Sequence, residues 1–226
     1  MPGYEIKVQA LAIDGAADLQ IRSLLDNDQF ADPAGAAEAL GISPAQWPLF
    51  GQVWPSGLHL AAAMAIRPLL EGERILEIGC GLALASLVCH RRGAEVTASD
   101  IHPLAGAFLL ENLRLNELTP MRYCHGDWSE DAVAAEGGAP RVQGRFDLII
   151  GSDVLYERDD GGALAAFIEK HALPQCELLI VDPNRGNRAA FGKRMAGLGF
   201  EFSETVLSAE AGRPDYRGRL MRFARG

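Results

Sequence analysis

The sequence predicts an α/β fold, a parallel, doubly wound sheet with helices on both faces, and three observations carry that reading. Short aliphatic segments of strand length alternate with stretches of helical spacing from residue 74 to residue 207. The first of these segments, Arg74-Ile75-Leu76-Glu77-Ile78, runs directly into Gly79-Cys80-Gly81 and then into a helix expected over residues 82–92. The 226 residues are 48% hydrophobic and 23% charged, enough apolar material for one large core. One domain over residues 47–226 is expected, with residues 1–46 as an N-terminal extension packing on it.

In chain order, residues 4–13 suggest a strand and residues 17–25 a short helix. Residues 47–57 are rich in aromatics, prolines and glycines and hold two tryptophans, which suits either a lid over a ligand or core packing. Helical spacing over residues 58–70 leads into the strand at residues 74–78 and its helix. A strand at 94–99, a helix at 104–118 and a strand at 121–124 follow. Residues 130–144 read as a loop with some helix. Strands at 146–151, 177–181, 200–207 and 219–223 alternate with helices at 162–173 and 189–198.

Composition narrows the function. A net charge of −9 argues against non-specific nucleic-acid binding, which needs clustered Lys and Arg. Apolar runs such as residues 58–66 fall short of the roughly 20 residues of a membrane span. The first residues carry no basic stretch ahead of an apolar one, so a cytoplasmic protein is expected. Cys80, Cys89, Cys124 and Cys176 form no CxxC pair, and the five histidines are scattered singly, so no metal site is expected. A monomer is the working expectation.

In a doubly wound sheet the ligand lies beyond the carboxyl ends of the strands, and the residues there form a coherent set. Gly79 and Gly81 permit a tight turn that a ligand can approach without meeting a Cβ. A dinucleotide fingerprint would need glycine at position 84, where Leu84 stands, so no pyrophosphate is expected. Asp100 follows the second of these strands at the distance from which an acid bridges two ribose hydroxyls, the favoured reading; it could instead cap the helix begun at His102 and Pro103. After the third strand, Asp127 could accept from an adenine amino group and Trp128 could stack on the ring, or the pair could form an Asx turn with a packed indole. Ser152, Asp153 and Tyr156 follow the fourth strand, where Asp153 could cap a helix and Tyr156 could be core.

With Gly79-Cys80-Gly81, Asp100, Asp127-Trp128 and Asp153-Val154-Leu155-Tyr156 set out, the chain resembles the seven-β-strand S-adenosylmethionine-dependent protein methyltransferases that carry an Asp-x-x-Tyr motif. Within that group it is most similar to the lysine methyltransferases of the electron transfer flavoprotein β subunit and their bacterial relatives. Residues 53–57, 100–106, 112–116 and 182–185 carry the closer likeness. The resemblance implies a Rossmann-like, seven-stranded, mostly parallel sheet with an antiparallel last strand. It implies S-adenosylmethionine as cofactor, held by Trp54, Glu77, Gly79, Gly81, Asp100, Asp127, Trp128 and Ser152. It implies Asp153 and Tyr156 as the residues facing a target lysine on a protein partner, with the electron transfer flavoprotein β subunit as one candidate. A small-molecule amine or nicotinamide-like acceptor is the alternative, and a non-catalytic cofactor- or partner-binding protein a second one. Two departures stand out: Ala83 replaces a family glycine, and Asn184 stands where relatives often have glycine.

The chemistry asked of such a site is specific. A lysine of pKa near 10.4 must lose a proton to become a nucleophile, which costs roughly 4 kcal/mol at pH about 7.4. A carboxylate cannot lower that cost, because negative charge favours the ammonium. Asp153 is therefore expected to anchor and orient the acceptor, with Tyr156 packing on its stem or bonding to the amine.

Overall fold

The computed structural model describes residues 3–129, 138–156, 159, 161–207 and 216–226. In chain order the strands are β1 (Ile6–Leu11), β2 (Leu19–Leu24), β3 (Arg74–Ile78), β4 (Glu95–Asp100), β5 (Arg122–His125), β6 (Phe146–Ser152), β7 (Ala172–Asp182), β8 (Glu201–Leu207) and β9 (Gly218–Arg225). The α-helices are α1 (Pro55–Ile66), α2 (Leu84–Arg91), α3 (Ala105–Leu115), α4 (Ala163–His171) and α5 (Arg188–Gly197).

The central sheet has seven strands in the order β5-β4-β3-β6-β7-β9-β8. Strands β5 to β7 pair in parallel, and β9 runs antiparallel to both of its neighbours, as expected. Leu76, Ile78, Leu148, Ile149, Ile150, Leu178 and Ile180 are fully buried, the pattern of strands covered on both faces. Strand order reverses between β3 and β6, and a crevice opens at that point beyond the carboxyl ends. The register Ile78↔Gly151 sets the glycine turn directly beside Ser152.

The N-terminal residues differ from the sequence expectation. Residues 17–25 form no helix: Leu19–Leu24 is a strand paired with β1, Ile6 opposite Leu24 and Leu11 opposite Leu19. The reason lies in the period, because Leu19, Ile21 and Ser23 alternate inward and are fully buried while Gln20 is exposed. The outer edge of β2 is tied to α3, where Asn112 Oδ1 accepts from the Arg22 N–H at 2.8 Å and Asn116 Oδ1 from the Gln20 N–H at 2.9 Å. Replacing Asn112, itself fully buried, with alanine leaves the Arg22 N–H without its acceptor. The expected loss is about 1–2 kcal/mol of stability in urea unfolding.

Smaller differences follow from local chemistry. Helix α1 starts at Pro55, a favoured first helical residue, and ends before Pro68 rather than at residue 70. Strand β7 begins at Ala172, five residues earlier than expected, across an irregularity in its pairing with β6. Of residues 130–144, the stretch 130–137 lies outside the described residues; 138–144 contains no helix, and Arg141 makes an isolated bridge to His125. Among the described residues no helix is long and apolar enough to cross a membrane. All four cysteines are buried free thiols.

Candidate functional site

A cleft of about 430 Å³ opens at the point where strand order reverses. Its lining includes all ten residues singled out from the sequence: Trp54, Glu77, Gly79, Gly81, Asp100, Asp127, Trp128, Ser152, Asp153 and Tyr156. Leu49 and Phe50 from the aromatic-rich stretch 47–57, together with Leu40 and Ile42, which the sequence reading did not single out, wall it from the N-terminal side. The two tryptophans of the turn-rich stretch have divided roles. Trp47 is core, only 1% exposed and edge-on to Phe50, whereas Trp54 is 36% exposed on the cleft with its indole N–H donating to the Leu49 carbonyl at 2.8 Å.

The glycine turn is under steric necessity. Gly79 and Gly81 have φ of 56° and 51°, and a Cβ on Gly81 would stand 2.9 Å from the Phe50 carbonyl oxygen. Ala83 adopts the same left-handed conformation at φ 59°, which is the physical reason the family motif prefers glycine there. Alanine carries a strain of roughly 1–2 kcal/mol at such a position.

Asp100 does not cap α3, which begins at Ala105 after Leu104 with no side-chain cap. Its Oδ1 accepts from the His102 N–H at 2.8 Å, an Asx turn ahead of α3, and its Oδ2 accepts from the Gly81 N–H at 2.8 Å, bracing the turn. Each carboxylate oxygen accepts one of these bonds and has capacity for a second. Burial raises its pKa, against the lowering effect of those two N–H donors.

Glu77 acts as a helix cap as well as cleft floor. Helix α2 starts after Ala83 with no side-chain cap of its own, and Glu77 Oε2 accepts from the Ser86 N–H at 2.9 Å and from the Ser86 hydroxyl. Burial, opposed by these bonds, raises its pKa from the ordinary 4.5 to about 7. The folded chain therefore keeps a proton that the unfolded chain has lost between those values, and this group's contribution to stability falls as pH rises through that window. Glu77→Gln keeps an acceptor for Ser86 without a charge. It is expected to be more stable than the parent above pH 7, by on the order of 3 kcal/mol, with no gain below pH 4.5, as read by urea unfolding at the two pH values.

On the far wall, Asp127 Oδ1 accepts from the Ser129 N–H at 2.8 Å, so the Asx turn is present. Trp128 lies against the glycine turn, its Cζ2 3.7 Å from where a Gly79 Cβ would sit. Its indole N–H is buried with no protein acceptor among the described residues. His102, read from sequence as one scattered histidine, stacks face to face on Phe50 at 3.7 Å. Burial pushes its pKa down to about 3, so the ring is neutral.

Neither structural alternative for Asp153 and Tyr156 is met. The cap at the start of α4 is Asp159, which accepts from the Ala163 N–H at 2.8 Å, and Tyr156 is 48% exposed. Asp153 sits in the left-handed region at φ 58°, a conformation that costs energy and holds its carboxylate at the cleft. It is not a lone carboxylate: Asp153 Oδ1 accepts from Arg185 Nη1 at 2.6 Å, while Oδ2 is buried with no partner among the described residues. Arg185 also lines the cleft and was missed from sequence; its signal was the loop that follows β7, Asp182-Pro183-Asn184-Arg185.

Comparison with known proteins adds a lineage to this geometry. Residues 52–210 match the family described as methyltransferase domain. The electron transfer flavoprotein beta subunit lysine methyltransferase of Mus musculus is 27% identical over 151 residues, covering 66% of this chain and 55% of that protein. Histone-arginine methyltransferase METTL23 of Rattus norvegicus is 29% identical over 119 residues, 51% of each chain. The chain spans about half the length of these curated relatives. The structure of magnesium protoporphyrin IX methyltransferase from Synechocystis PCC 6803 with bound SAM aligns with a TM-score of 0.57 at 18% identity, over 78% of this chain and 86% of that one, which shows a common fold.

Proposed function

Because the chain belongs to the methyltransferase domain family, we propose that it transfers a methyl group from S-adenosylmethionine to the ε-amine of a lysine in a protein substrate. The observation that carries this reading is the pairing, in one cleft, of a nucleoside-sized wall with a carboxylate held at its mouth. Asp100 keeps acceptor capacity beside a glycine turn in which a Cβ on Gly81 would meet the Phe50 carbonyl, and Trp128 presents a buried N–H with no acceptor among the described residues. These features fit the cofactor. Asp100 would hold the ribose hydroxyls, Trp128 and Trp54 would flank the nucleoside, and Gly79 and Gly81 would let the methionine end approach the backbone.

When bound, S-adenosylmethionine supplies a methyl group on a cationic sulfur that leaves with the bonding electron pair as the acceptor nitrogen takes the methyl. The protein's share is placement. Asp153 Oδ2 would accept a hydrogen bond from the acceptor nitrogen, and Tyr156, half-exposed at the rim, would pack along the lysine stem. Support for lysine comes from the acidic residue at the acceptor position, which suits a cation, and from the lysine-modifying relative, which aligns over more of the chain than the arginine-modifying one.

The test is incubation of purified protein with methyl-labelled S-adenosylmethionine and cell extract. The expected result is label on one or a few proteins. Label confined to small molecules would transfer the reading to a small amine acceptor, and no label in any fraction would reject transfer altogether.

A further inference from the structure

An ammonium that meets a lone carboxylate is held, but it is also stabilised in its protonated, non-nucleophilic form. The surroundings of Asp153 ease that conflict. Arg185 Nη1 lies 2.6 Å from Asp153 Oδ1 and 3.7 Å from Asp182 Oδ2, and the Arg185 backbone N–H donates to Asp182 Oδ1 at 2.7 Å. One guanidinium is thus clamped between the ends of β6 and β7. Asp153 Oδ2 and Asp182 Oδ2 are both buried with no hydrogen-bond partner among the described residues.

Resting on the lysine reading above, we propose that Arg185 is a positioning residue for the acceptor: it fixes Asp153 through Oδ1 and offsets its charge, so that Oδ2 orients the acceptor nitrogen without locking it as an ammonium. The bound ε-ammonium passes one proton to water, and the amine left behind keeps an N–H toward Oδ2 and gains its lone pair for the methyl group.

Among the other described ionisable groups, Arg188 also acts on Asp182, but Arg185 is the one in contact with Asp153. Arg188 at the start of α5 and Arg219 on β9 share Glu204 of β8, at 3.7 and 2.6 Å. Tyr216, ahead of β9, hydrogen-bonds Ser56 of α1 at 2.8 Å and stacks on His59. Without Arg185, Asp153 would face the acceptor with the buried Asp182 carboxylate behind it and no guanidinium between the two.

The experiment compares the parent, Arg185→Gln and Arg185→Lys as full-length proteins, with two probes. One is the protein that the parent labels in extract, followed as rate against pH. The other is n-butylammonium chloride, whose binding is followed by chemical-shift titration and needs no cofactor. Loss of the guanidinium raises the acceptor's pKa, and below that pKa the rate follows the amine fraction. Arg185→Gln is therefore expected to move the acid limb of the kcat profile up by about one pH unit and to lower kcat roughly tenfold at neutral pH, with KM unchanged or lower. It should bind n-butylammonium several-fold more tightly, and Arg185→Lys should return both quantities toward the parent. An unmoved limb together with unchanged or weaker n-butylammonium binding would overturn the proposal. If the parent labels no protein, the function reading fails, while the n-butylammonium comparison still decides the role of Arg185.

Discussion

Asp153→Ala is expected to lower kcat/KM for methyl transfer by roughly 10²- to 10³-fold while changing the dissociation constant of S-adenosylmethionine less than about threefold. Asp153 occupies the left-handed region at φ 58°, where a short polar side chain is tolerated better than most others. That conformation places the carboxylate on the cleft lining, one oxygen on Arg185 and the other with no partner among the described residues. Alanine removes both, so the acceptor nitrogen loses its orienting group and the guanidinium gains freedom to move. Asparagine keeps the backbone preference and one oxygen and is expected to retain more activity than alanine. The cofactor wall formed by Asp100 and the glycine turn touches neither change. Steady-state kinetics with calorimetric cofactor titration reads both halves, and equal loss in binding and turnover would return Asp153 to a structural part.

The second large effect concerns the cofactor. Asp100→Ala is expected to raise the dissociation constant of S-adenosylmethionine about 100-fold. Two contributions add. The carboxylate that would receive the ribose hydroxyls is gone, and charge-assisted bonds of that kind contribute about 1.5–3 kcal/mol each. The N–H groups of Gly81 and His102 also lose the acceptors that hold the turn in its ligand-ready shape, at 2.8 Å each in the parent. Asp100→Asn keeps one oxygen for one of those donors and should fall between. Titration calorimetry on the three proteins decides the matter, and a change below about threefold for alanine would leave Asp100 a loop brace alone.

The sheet was legible because its central strands β3, β6 and β7 are aliphatic runs that end at Gly, Ser or Asp, and because helices such as α3 and α4 keep a buried stripe. Residues 74–92 show this well, since strand, turn and helix followed from apolar content and two glycines, and the structure adds that Ala83 bends as a glycine would, so that α2 begins at Leu84, and that Glu77 caps it through Ser86. Residues 17–25 suggest a helix because the two-residue alternation of β2 is too short to stand out in sequence, and the contacts that hold it as a strand lie outside it, in β1 and in Asn112 and Asn116, which accept its N–H groups from 90 and 96 residues away. The cleft lining could be named in advance because topology alone brings post-strand residues to one end of the sheet. Arg185 and His102 could not, since their importance depends on meeting Asp153, 32 residues away, and Phe50. The conflict at the site, a carboxylate asked to hold a cation that must become neutral, was visible from sequence, but the guanidinium beside it was not.

The account's central claim is that this cleft delivers a methyl group to a lysine side chain. Acid hydrolysis of the protein labelled in extract, followed by chromatography of the amino acids, tests it most directly. The predicted result is label co-migrating with ε-N-methyllysines when the parent is used and none with Asp153→Ala. Label in methylarginines, or the same methyllysine label from Asp153→Ala, would contradict it.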